Sequence, residues 1–122
     1  MTTQARHIRL ELAREPGHPQ GNADTGYDIV AFLDDTGRLN LETCRAEVAR
    51  CRVRRFVDGQ TAAVGQLRHT TGDRWLLDFP DDAQDATGFH LGDETFVTGE
   101  YVSMIDHDGT AHTYVVKRVE EI

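Results

Sequence analysis

CRVRRFVDGQTAAVGQLRHTTGDRWLLDF, residues Cys51–Phe79, is the stretch that decides the fold class. Three β-rich runs, Cys51–Val57, Ala62–Thr70 and Arg74–Phe79, are separated only by short turn segments at Asp58–Gly59 and Thr71–Gly72–Asp73. Links this short join antiparallel neighbours, because a parallel pair needs a crossover of about a dozen residues. Asp-Gly is a two-residue hairpin signal. Trp75, Leu77 and Phe79 alternate and so share one face. Val53 and Phe56 fall out of simple alternation, which places a bulge near Arg54–Arg55.

The pattern extends in both directions. Upstream, Arg6–Ala13 carries Ile8, Leu10 and Leu12 on one face, a half-buried strand. Glu15–Gly26 reads as an irregular loop, and Tyr27–Leu33, apolar on both faces after Asp28, as a more central strand. One helix is expected, over Leu41–Arg50, with Asn40 as its N-cap and Leu41, Cys44 and Val48 on one face. Downstream, Pro80–Gly92 is acidic and without period, hence a loop. Strands follow at Thr95–Thr98, Glu100–Asp106 and Thr110–Val119. The expectation is a mainly β (α+β) chain forming a single domain over residues 1–122. Its architecture is an antiparallel barrel or roll of seven or eight strands, with one α-helix near residues 41–50 closing one end.

The last hairpin is expected to turn at Asp108–Gly109, pairing Ile105 with His112, Ser103 with Tyr114 and Tyr101 with Val116. Tyr101, His107, His112 and Tyr114 would then share a mixed, partly wet face. Val102, Met104, Asp106, Ala111, Thr113 and Val115 would face the core.

Composition excludes several functions. The 122 residues carry a formal charge of −8 with 39% hydrophobic residues, which suits a soluble globular protein. No apolar run approaches the roughly 18 residues of a membrane helix, so no membrane role is expected. The opening MTTQARHIRLELARE has neither a secretory apolar core nor a lipidation motif. Cys44 and Cys51 would sit about 10 Å apart on a continuous helix, too far to bridge. Reduced thiols fit a cytoplasmic setting.

No catalytic constellation emerges. Ser103, the only serine, lacks a glycine-flanked elbow. The glycines form no phosphate loop, and His90, His107 and His112, though near Asp93, Asp106 and Asp108, lack metal-ligand spacing. No metal, no cofactor and no catalytic residue is called for. Charge is the informative feature: residues 38–74 carry +4, residues 75–122 carry −9 and residues 1–37 carry −3. Arg45, Arg50, Arg52, Arg54 and Arg55 cluster in the basic segment, whereas lysine occurs once, at Lys117. A net charge of −8 argues against nucleic acid.

The leading expectation is a non-catalytic interaction module that presents the strand of Arg52, Arg54 and Arg55 and the aromatic hairpin face to a protein partner or a second copy. The alternative is a small-ligand or enzymatic barrel with a pocket near Tyr101, His112 and Tyr114. Nucleic-acid binding through the arginine strand ranks below both.

The segments GYDIVAFLDDTGRLN (Gly26–Asn40), CRVRRFVDG (Cys51–Gly59) and GEYVSMIDHDGTAHTYVV (Gly99–Val116) resemble a family of small uncharacterised bacterial proteins, a domain of unknown function. The resemblance spans most of the chain. It implies one intact domain and carries no activity or site residue with it.

Overall fold

Period-two patterning becomes eight strands in the computed structural model, which describes residues 4–14, 19–70, 74–80, 85–88, 91, 94–106 and 109–122. They are β1 (Gln4–Leu12), β2 (Asn22–Leu33), β3 (Arg52–Val57), β4 (Gln60–His69), β5 (Trp75–Asp78), β6 (Ala86–Gly88), β7 (Tyr101–Ile105) and β8 (Ala111–Glu121). Each strand pairs antiparallel with the next, and β8 returns to β1, so the sheet closes into an up-and-down barrel. Closure removes the free sheet edges that an open sheet would present to other chains. Ile8, Leu10, Ile29, Val53, Leu67, Leu77, Val102 and Val116 are all buried inside it.

The helix packs against β2 and β4, and Leu39, Cys44 and Cys51, in and around it, are buried. Asn40 caps it: its Oδ1 accepts from the Thr43 N–H at 2.9 Å. The helix α1 spans only Leu41–Ala46, however, and a 3-10 turn at Val48–Arg50 replaces its expected second half. That tighter turn feeds the chain back into β3. It brings the Cys51 Sγ to 3.8 Å from the Cys44 carbonyl, where it donates, so the separation expected for a continuous helix does not apply. Both thiols are free and buried. Leu41 and Val48 are 40% and 37% exposed, leaving Cys44 as the helix's buried residue.

Two further expectations need correction. Thr95–Thr98 is not a strand, because the Phe96 N–H bonds to the Gly37 carbonyl at 2.8 Å and its ring packs into the core. The missing strand is β6, three residues inside the segment read as a loop and too short to show a period.

The last hairpin is also one residue out of the expected register. Tyr101 pairs with Val115, Ser103 with Thr113 and Ile105 with Ala111. The Asp106 N–H bonds to the Thr110 carbonyl, and the N–H of Gly109, at φ 78°, bonds to the Asp106 carbonyl. The turn therefore holds one residue more than a two-residue loop. On β8 this slip sends Tyr114 and Val116 inward, in place of Thr113 and Val115. The Asp58–Gly59 turn matches expectation. The bulge is not on β3: that strand keeps strict alternation, which puts Phe56 on the outer face, and the extra residue opposite Arg55 and Phe56 is Ala62 on β4.

Candidate functional site

Strand β3 sorts its arginines by parity. Paired with β2, it sets Arg52 beside Val30, Val53 beside Ile29, Arg54 beside Asp28 and Arg55 beside Tyr27. Val53 and Ile29 are buried inside, so Arg52 and Arg54 belong to the outer face and Arg55 to the inner one.

On the outer face, successive pairings align Arg9, Asp28, Arg54 and Val64 in one row, and His7, Val30, Arg52 and Gln66 in the next. Asp28 is the hub. Its carboxylate lies 3.0 Å from His7 Nε2, 3.0 Å from Arg54 Nη2 and 3.7 Å from Arg9 Nη1. Arg9 also pairs with Glu11 at 2.8 Å, and Arg54 Nη1 donates to Thr61 Oγ1 at 3.0 Å. Phe56 points outward yet is only 1% exposed, because the Arg9 guanidinium lies 4.2 Å and that of Arg54 5.5 Å from its ring centre. These contacts combine cation–π attraction with cover from the arginine stems. Beside them lies a groove of about 200 Å³ lined by His7, Asp28, Val30, Arg52, Val53, Arg54 and Val64. Val64 is 55% exposed, and Arg52 makes no ion pair with any described residue.

The inner face carries a buried polar knot. Asp106 accepts from the Tyr27 hydroxyl at 2.7 Å and the Tyr114 hydroxyl at 2.5 Å, and His112 Nε2 stands 3.8 Å from the same carboxylate. The two rings meet edge to face, 5.3 Å between centres. Burial, reinforced by the Asp106 charge, pushes both phenols far above the ordinary tyrosine range. The Arg55 charge opposes that shift only in part. Both tyrosines are therefore fixed as protonated donors, and the carboxylate is satisfied. That arrangement specifies the core.

The residues singled out in the sequence thus divide among several places. Arg52 and Arg54 share the outer groove. Arg55, His112 and Tyr114 converge on Asp106 and Tyr27 inside. Tyr101, 63% exposed, stands on the outer face away from both. Arg50 lies over the Phe32 ring at 5.0 Å, and Arg45 lines a cleft beside α1. His107, His90 and Asp93 lie outside the described residues. No group of three metal-ligating side chains occurs among the described residues, and no helix is long and apolar enough to cross a membrane. Sequence reading missed Asp28, His7 and Arg9 as partners of the arginine strand. The available signal was Asp28 itself, one carboxylate at the head of an otherwise apolar run. Comparison with protein-family models, curated proteins and solved structures finds no match to this chain.

Proposed function

We propose that the protein is a non-catalytic interaction module that captures an acidic partner surface on the outer face of β1–β4. The observation that supports this reading most is the Asp28 hub. One carboxylate holds His7, Arg9 and Arg54 in fixed positions and leaves Arg52 with no ion pair among the described residues, beside an exposed valine. The patch is locally positive on a protein of −8, so it attracts carboxylates while the rest of the surface repels them. Val30 and Val64 supply the apolar contact that charge alone lacks. The acidic half of a second copy is one surface of this kind, and the reduced thiols suit a cytoplasmic setting.

A labelled peptide rich in Glu and Val, titrated at low salt, tests the reading. Arg52→Glu should weaken its binding by about tenfold, the size of one charge-assisted contact. Added salt should weaken the wild-type complex further. Equal affinity in Arg52→Glu, or no binding by the wild type, would sink the proposal. Sedimentation of the unliganded protein reports whether a second copy competes for the same face.

The two arginines should also separate in stability. Arg52→Ala should leave the urea midpoint unchanged. Arg54→Ala should cost about 1 kcal/mol, because it strips a partner from Asp28 on a half-exposed face. Equal midpoints for the two variants would show that the hub contributes nothing.

A further inference from the structure

A second concavity, of about 590 Å³, lies on the outer face between β8 and the start of β2. Its construction follows from two irregularities. After Glu11 pairs with Gly26, the register jumps so that Leu12 meets Asn22, and the extra residues of β2 splay away from β1. On β8, Arg118 pairs with Arg9 but Val116 with Leu10, so Lys117 is the additional residue of a bulge. The Ala13 N–H bonds to the Thr113 carbonyl at 2.9 Å and keeps the end of β1 on β8. Val115, flanked in register by Glu11 on one side and Tyr101 on the other, lies on the floor.

The charges here are uneven. Arg14 and Lys117 line the cleft and have no partner among the described residues. Glu11, the carboxylate on its wall, is already neutralised by Arg9 at 2.8 Å. Arg14 and Lys117, without an ion-pair partner among the described residues of a chain of −8, therefore face one cavity, together with the largely exposed ring of Tyr101 and the Thr113 side chain. The volume lies within the range of small-molecule pockets, about 300–1,000 Å³.

From these features we infer that this cleft binds a small planar molecule bearing an oxyanion. Lys117 and Arg14 hold its carboxylate or phosphate, and Tyr101 packs against its ring. Lysine suits the anion as a point charge, arginine as a bidentate fork, and the phenol face offers an apolar wall. The site is independent of the arginine groove, with which it shares no lining residue.

Phenyl phosphate, benzoate and inorganic phosphate, each titrated into ¹⁵N-labelled protein, test the inference. Saturable amide shifts centred on Arg14, Thr113, Val115 and Lys117 are expected for the first two, with inorganic phosphate weaker because it lacks the ring. The tighter of phenyl phosphate and benzoate identifies the oxyanion. Lys117→Gln and Tyr101→Ala, both at exposed positions, should each weaken binding by about fivefold or more. Arg52→Glu should leave it unchanged. Unsaturated shifts, shifts centred on Arg52 and Arg54, or unchanged affinity in either cleft variant would overturn the assignment.

Discussion

Asp106→Ala will destabilise the protein by about 3–5 kcal/mol, since two buried phenol donors lose the carboxylate that accepts from both, at about 1–3 kcal/mol each. Tyr27 and Tyr114 are 1% and 3% exposed, so neither hydroxyl can turn to water without opening the barrel. Asp106→Asn keeps one acceptor oxygen but presents an N–H₂ to the other phenol, and its loss should be smaller, about 1–3 kcal/mol. Single Tyr27→Phe and Tyr114→Phe changes should be milder than Asp106→Ala, because each leaves Asp106 one phenol partner. Urea unfolding of the series, read as double-mutant cycles, gives the coupling directly. If Asp106→Ala proves no worse than a single Tyr→Phe change, the knot does not hold the barrel together.

The same knot fixes the alkaline limit. Burial raises the folded-state pKa of both tyrosines above their unfolded value of about 10. Below that value both states keep the phenolic protons, and stability is unaffected. Above it the unfolded chain releases protons that the folded one retains, so stability falls as pH rises beyond about 10. Tyrosinate absorbance from Tyr27 and Tyr114 should therefore appear together with unfolding. Ionisation of either one in a still-folded protein would contradict the burial argument.

How much of this was legible in the sequence depended on the range of the determining interaction. The meander of Cys51–Phe79 was readable because its turns are local and its alternation is set by the pleat. The break in period at Phe56 misled: β3 is regular, Phe56 lies on the outer face beneath Arg9, and the extra residue of the bulge sits on β4. Strand β6 escaped because three residues carry no period, and only pairing with β5 and β7 makes Ala86–Gly88 a strand. The C-terminal register failed on a single residue of loop length. That one slip changed which side of β8 faces the core and hid the meeting of Tyr114 with Asp106. The arginines were visible as composition, but their division between the two faces was not. Arg54 meets Asp28 and Arg55 meets Tyr27 through pairings 26 and 28 residues apart, which no local pattern reports.

Gly26→Ala should be the most damaging single-methyl change on this face, with a loss of about 3 kcal/mol or more, the upper end of overpacking effects. A Cβ at that position would sit 1.9 Å from the Leu10 carbonyl oxygen and 2.9 Å from its carbon. Leu10 cannot yield by rotating a side chain, because the obstacle is backbone held in the β1–β2 ladder between Tyr27 and Val116. Relief therefore requires parting β1 from β2 where their register already shifts. Arg9 would move with β1 and expose part of Phe56, which is buried on the outer face beneath that guanidinium and the Arg54 one. The damage should therefore extend to the Asp28 hub and weaken acidic-peptide capture together with stability. Gly59→Ala is the control: its φ of 77° strains an alanine, but no atom lies within 4 Å, so about 1–2 kcal/mol is expected. A Gly26→Ala midpoint no lower than that of Gly59→Ala would show that β1 and β2 do not approach this closely. The roof over Phe56 would then need another cause.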